Sequence, residues 1–261
     1  MKRIFRISMI TGALFLIVGV IITISAVAMG ANQESVWGKL DFVFDDSGKE
    51  DINESYSEVT SLNFSIAASS VKVKIGETFS IKGYRTGSDF KSTVKNGKWI
   101  IETPKKNFSF FKFLRGNIAS SIIITIPNSA VLEKVEIDIG AGNFEVEYLN
   151  SLDTDIDIGA GKISIKELVS EDLDLTCGAG KADIYADIQK KGKIKCGVGE
   201  LGLTVKGSKS DFDISIDSAL GDVTIDSENY SGVISKDITG NDASKKISVS
   251  CAVGSTKIKF E

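Results

Sequence analysis

From Leu62 onward, apolar residues fall on every second position of the chain. The stretches "LNFSIAASSVKVKIGE", "FSIKGYRT", "STVKNGKWIIETP" and "SSIIITIPNS" alternate or run apolar between turn residues. That is the pattern of strands with one buried face. In "KNGKW", Asn96-Gly97 stands between Thr93-Val94 and Trp99–Ile101, which predicts a tight hairpin. No segment after residue 30 carries a 3.6-residue apolar period, so the expected fold class is all-β.

The alternation then becomes a repeat. "VEIDIGAGNFEVEY", "DIDIGAGKISIK", "LDLTCGAGKADIY" and "KIKCGVGELGLTV" carry the pairs Gly140/Gly142, Gly159/Gly161, Gly178/Gly180 and Gly197/Gly199. The second glycine of each pair recurs every 19 residues, at 142, 161, 180 and 199. Looser copies are marked by Gly221 and Gly254, 22 and 33 residues further on, after the inserted loops "KGSKSD" and "SENYSGVISKDITGNDASK". A degenerate early copy, "FSIAASSVKVKI", puts Ser69 at the mark.

The columns of the repeat are apolar on one side only. Before the mark run Ile137, Ile156, Leu175, Ile194, Ile216, Val249 and then Ile139, Ile158, Cys177, Cys196, Ser218, Cys251. After it run Phe144, Ile163, Ala182, Leu201, Val223, Thr256 and then Val146, Ile165, Ile184, Leu203, Ile225, Ile258. Charged residues such as Glu136, Asp138, Asp155, Asp157, Lys162, Lys166 and Asp183 lie between these columns. Each copy therefore reads as strand, glycine corner, strand, second corner, and it can bury its apolar side only by stacking on other copies. The expected architecture is a β-solenoid of about 19-residue rungs, six of them rising roughly 25–30 Å at the inter-strand spacing of about 4.8 Å. A β-sandwich of repeated hairpins is the alternative, because parallel and antiparallel pairing share the period of two. In the solenoid, Gly140, Gly159 and Gly178 superpose at one edge, with Ile139, Ile158 and Cys177 pointing into the core.

The first thirty residues follow a different rule. Lys2, Arg3 and Arg6 precede the uncharged run Ile7–Met29, and Glu34 is the first charge after it. Its 23 residues extend roughly 35 Å as a helix, enough to cross a bilayer core of about 30 Å. The expected organisation is a cytoplasmic tail (1–6), a transmembrane helix (7–29), an acidic spacer (30–61) with a short strand at Leu40–Phe44, and an extracytoplasmic β-repeat domain (62–261), its regular repeats spanning about 135–205. The positive-inside rule sets that orientation. Ala26-Val27-Ala28 has the small-x-small form of a signal-peptidase site, but the apolar run exceeds the usual signal-peptide core, which favours an uncleaved anchor.

Composition narrows the chemistry. The 261 residues have a net charge of −4, which argues against nucleic-acid binding. There is no histidine, so the commonest general base and transition-metal ligand is missing. Twenty-five glycines against two prolines suit a β-rich chain, and a hydrophobic content of 42% can fill a core.

Four groups of residues invite a chemical reading. The Gly-x-Gly elements lead into strands rather than helices, and "GAGK" lacks the flanking residues of a phosphate loop, so they read as corners. Cys177, Cys196 and Cys251 share one column; a bridge between stacked neighbours is sterically allowed, but isoleucines in the same column favour small buried thiols. Asp155, Asp157, Asp174 and Asp213 alternate within strands and read as a solvated outer face rather than a calcium ladder. "PKKNFSFFKFLRGN" sets Phe110, Phe111 and Phe113 among Lys112 and Arg115, a candidate contact for a partner or the membrane, or else a cover for an open end of the stack. No catalytic, cofactor-binding or metal-binding set emerges.

The strand ending in Ile-Pro within "IIITIPNSAVLEKVEIDIGAGNFEV", and "NGKWIIE" upstream, resemble the bacterial DUF4097 ("putative adhesin") β-strand-repeat proteins from about Leu62 to Glu261. A membrane helix before such a domain fits that family. The resemblance implies a cell-surface β-repeat fold with an adhesin-like role, in some relatives tied to envelope-stress signalling operons, and no catalytic residues. The expected function is non-catalytic: binding, adhesion or scaffolding at the cell envelope. The partners would be the membrane, through the N-terminal helix, and an envelope protein or glycan; no oligomeric state is assigned. An accessory or sensor part in envelope-stress signalling is one alternative, and a carbohydrate-active β-helix enzyme a remoter one.

Overall fold

A computed structural model describes residues 50–86, 90–103 and 120–261. All of them belong to the compact unit Phe42–Glu261. The expected tail 1–6, transmembrane helix 7–29, strand at Leu40–Phe44 and segment Phe110–Arg115 lie outside the described residues. Among the described residues, no helix is long and apolar enough to cross a membrane.

Among the described residues, the apolar alternation becomes seventeen strands that wind around one core. Four long strands bend so that each contributes to two faces. β2 (Ser61–Gly76) and β7 (Leu132–Val146) bend at the repeat mark, whereas β9 (Lys162–Cys177) and β10 (Lys181–Cys196) bend at the opposite corner. On the first face, β7 lies beside β8 (Leu149–Ile158), β8 beside β9 and β9 beside β10, all parallel. On the second face, β7 pairs with β9, β9 with β10, and β10 with β11 (Glu200–Val205), again parallel. The register steps by one repeat: Ile137 opposes Ile156, Ile156 opposes Leu175, and Leu175 opposes Ile194. Hairpins would have paired antiparallel, so the repeat is a solenoid and not a sandwich of hairpins.

Along the C-terminal part, the stacking order departs from the chain order. After β11 the chain runs to the far end of the stack, where it forms β12 (Phe212–Ser218) and β13 (Asp222–Ile225). It then covers both faces with antiparallel strands, β14 (Glu228–Ser231) on β13 and β15 (Ile234–Ile238) on β12. The last copy, β16 (Lys245–Cys251) and β17 (Ser255–Phe260), returns between the β10/β11 rung and the β12/β13 rung. The final rung in sequence is thus the penultimate one in space, with its main chain paired on both sides.

The N-terminal end is closed in a similar way. β5 (Lys98–Glu102) and β6 (Ser120–Pro127) pair parallel to the two halves of β2 and so act as a further rung. β4 (Lys91–Lys95) covers β5, β3 (Phe79–Tyr84) covers β6, and β1 (Glu50–Tyr56) covers β3, all antiparallel. β1 falls within the stretch expected as spacer; its Ile52 and Tyr56 pack on the core, a two-residue apolar signal hidden in an acidic sequence. All four outermost strands are short and polar: "EDINESY", "KSTVK", "ENYS" and "ISKDI". Such edges discourage further strand addition.

The two faces close over a core that includes Phe64, Phe144, Trp99 and Phe212, all fully buried. Phe64 and Phe144 on adjacent strands meet with ring centroids 5.5 Å apart. Where the core column carries Thr154 instead of an aliphatic residue, Ser151 and Ser170 satisfy its hydroxyl.

Candidate functional site

The glycine pairs form two columns down one edge of the solenoid, and close approach between rungs is what requires them. A Cβ on Gly159 would lie 2.9 Å from the Gly140 carbonyl oxygen, and one on Gly161 would lie 2.9 Å from that of Gly142. The same obstruction continues from Gly178 to Gly159, Gly180 to Gly161, Gly197 to Gly178 and Gly199 to Gly180. Following the spatial order, Gly254 sits against Gly199, and Gly221 against Gly254 at 2.8 Å. Among these corner glycines only Gly142 has a positive φ, at 157°. Space, not backbone handedness, therefore excludes side chains here.

Cys177, Cys196 and Cys251 are buried and free, and occupy register-matched positions on β9, β10 and β16. Their neighbours in the column are Ile158 and Ser218. The thiols of Cys196 and Cys251 donate to the Gly199 and Gly254 carbonyls at 3.2 Å. The hydrogen bond that Cys196 shares with Cys177, in which Cys196 is the donor, and then burial push the Cys196 thiol up, and burial pushes up that of Cys251, which keeps both protonated. No group of three or more cysteine or carboxylate side chains is placed to hold a metal among the described residues.

The segment with Phe110, Phe111, Lys112, Phe113 and Arg115 lies outside the described residues, but its flanks reach the same corner edge. Thr103 Oγ1 accepts a hydrogen bond from Ala67 N at 2.7 Å, and the Ser120 and Ser69 hydroxyls are 2.6 Å apart. The middle residues of the corners grow along the stack, from Ala160 and Ala179 to the exposed Val198, Val253 and Leu220.

An ordered arrangement of polar groups lies on the outer side of the first face. Alternation sends every second residue outward, and parallel register lines these residues up in rows across the strands. One row reads Glu136, Asp155, Asp174, Lys193, Ser248, Ser215, Asp237. The row beside it reads Lys134, Asp153, Asp172, Lys191, Lys246, Asp213. Over β7, β8 and β9 the rows are mainly acidic; over β10 and β16 they become basic and hydroxylic.

Ion pairs tie the acidic part together. Lys98 lies 2.6 Å and Lys134 3.1 Å from Glu136, and Asn63 donates to the same carboxylate. The Lys98 hydrogen bond leads in holding the Glu136 carboxyl down at about 2, against the opposing effect of burial. Asp155 behaves in the opposite way: burial, then the charges of Asp157 and Asp174, push its carboxyl up. Lys193 and Lys195 both approach Asp174, at 3.1 and 3.4 Å.

Past Lys193 the two rows separate into the walls of an open trough of about 550 Å³. One wall carries Lys191, Lys246, Asp213 and Thr239, and the other Lys193, Ser248, Ser215 and Asp237. Gly192, Ile247, Ile214 and Ile238, whose positions alternate with the walls, contribute the floor. Asp213 reads from sequence as a solvated strand residue, yet its Oδ1 is buried without a hydrogen-bond partner. The trough is a discontinuous site: it forms only because β16 inserts between β10 and β12. In the repeat alignment Lys193, Ser215 and Ser248 share one outward column, and Lys191, Asp213 and Lys246 share the next, which is the signal in the sequence that links them.

The family model described as Toastrack DUF4097 matches residues 59–184. No curated protein matches the chain. Among solved structures, the chain is similar to a "putative cell adhesion protein" from Clostridium sporogenes, with 18% identity, 82% of this chain and 100% of that one covered, and a TM-score of 0.45. It is also similar to a "putative adhesin" from Bacteroides fragilis, with 14% identity, 82% and 98% covered, and a TM-score of 0.37. A "putative adhesin" from Parabacteroides distasonis follows with 12% identity, the same coverage and a TM-score of 0.36. Glycine-cornered rungs run through the matched region, and over residues 59–184 the chain is similar to the Toastrack DUF4097 family.

Proposed function

We propose that the chain is a non-catalytic, adhesin-like binding scaffold of the cell envelope, held in the membrane by residues 7–29 with its β-solenoid outside. The observation that carries this reading is the outer first face: parallel strands in fixed register present ordered rows of charges and hydroxyls that end in an open trough. Such a surface is preorganised, because its side chains stand on paired strands rather than on loops, which reduces the entropy lost on binding. The charge asymmetry around the uncharged run Ile7–Met29 supports the anchor and its orientation.

Fractionation of cells producing the full chain, followed by protease treatment of intact cells, tests the proposal. The chain should sediment with membranes, and external protease should remove epitopes placed in the β-repeat domain. Recovery of an intact domain after protease treatment, with digestion only after lysis, would overturn the extracytoplasmic scaffold.

A further inference from the structure

Resting on that binding-scaffold reading, we infer that the trough between β10, β16, β12 and β15 is a subsite for a carboxylate-bearing glycan, a uronic-acid polymer in chemical class. Lys191 and Lys246 are register partners on adjacent parallel strands, so their outward ammonium groups stand side by side. Among the described residues, neither lies within ion-pair distance of a carboxylate; the nearby ion pairs go to Lys193 and Lys195. Like charges placed directly across a ladder repel, and an anion between them relieves the repulsion.

The trough also has acceptors on its walls. Asp213, register partner of Lys246, keeps Oδ1 buried without a partner, and Asp237 closes the opposite wall. Ser215, Ser248 and Thr239 add hydroxyls that both donate and accept. A uronate unit complements both sets: its carboxylate meets Lys191 and Lys246, and its ring hydroxyls donate to the solvent-facing carboxylate oxygens of Asp213 and Asp237.

An acidic peptide fits less well. Its carboxylates would suit the lysines but face the two aspartates as like charges. Among the described residues, β10, β16 and β12 are hydrogen-bonded on both sides, so an added peptide strand could pair only with the outer edge of β15, away from Lys191 and Lys246. The trough spans four strands across the rungs, roughly 14 Å at about 4.8 Å per strand, long enough for a chain rather than a single small ion.

The test is calorimetric titration of the detergent-solubilised full chain with oligogalacturonate. The methyl-esterified oligomer and polyglutamate serve as comparison ligands. Oligogalacturonate is expected to bind, more weakly as salt rises, and neither comparison ligand should match it. The double variant Lys191→Ala/Lys246→Ala should lose about tenfold or more in affinity. Asp213→Asn should weaken binding too, whereas Lys162→Ala on the other face should leave it unchanged. All variants should keep the parent's circular dichroism and melting transition, so that a loss reports the site.

Absence of oligogalacturonate binding, equal binding of polyglutamate, or full affinity in the double variant would each overturn the glycan subsite. If the domain is nevertheless protease-accessible on intact cells, the scaffold reading stands and only the ligand class falls. Protection of the domain in that assay would remove the scaffold reading itself.

Discussion

An excluded and a tolerated side chain differ by about an ångström of clearance: a Cβ on Gly180 would lie 2.4 Å from its nearest neighbour and one on Gly202 3.5 Å. A Cβ on Gly180 would meet the Gly161 carbonyl oxygen and the Ile158 side chain, both fixed by the neighbouring rung. Gly180→Ala should therefore cost about 1–3 kcal/mol in a denaturant titration. Gly202, on the second face, has only ordinary contacts, the nearest being Asp183 Oδ1 at 3.5 Å. Gly202→Ala should be neutral or stabilising by about 0.5 kcal/mol, because it restricts the unfolded chain. A similar loss at both positions would contradict the close-packing account. The stacked thiols offer a second check. Cys177, Cys196 and Cys251 should resist alkylation in the native domain and all react under denaturant, and rapid native labelling would show that the column is open.

Between elements, an ion-pair cluster crosses from β5 to β7 at Glu136. Its carboxyl is lowered from 4.5 to about 2, so its stabilising contribution is full above 4.5 and is lost as pH falls towards 2. The cluster is partly exposed and screened, so Glu136→Gln should cost only about 0.5–1 kcal/mol at pH 7. The gap between parent and variant should narrow between pH 4.5 and about 2, and a gap independent of pH would refute the charge pairing. The insertion of β16 and β17 predicts something larger. In a stack built in chain order, deleting residues 245–261 would remove only an end rung. Here the deletion leaves β12 and β13, with the β14 and β15 strands that cover them, without the rung on which β12 and β13 stack. Amide exchange should then lose protection across β12–β15 as well as along β10 and β11, and retained protection in β12 and β13 would contradict the interleaved order.

Across the whole molecule, the repeat is legible in the sequence and the stacking order is not. Columns such as Ile194, Ile216, Val249 and Cys196, Ser218, Cys251 show which residues share a side of the sheet. They are nearly interchangeable in size and polarity, so nothing in them says whether the copy at Gly221 or at Gly254 follows Gly199. The long loops between these copies allow either path. For that reason the trough escapes a linear reading, although Lys193, Ser215 and Ser248 are all visible as outward residues. The β1 strand escapes it because two apolar residues in an acidic stretch are too weak a pattern. The central claim is that this protein binds through the outer first face, and site-specific photo-crosslinking on intact cells tests it most directly. A crosslinking residue at Ser248 or Ser215 should trap an envelope component. One at Ser164, facing outward on the second face, should not. Equal trapping at all three positions, or none at Ser248 and Ser215, would contradict the account.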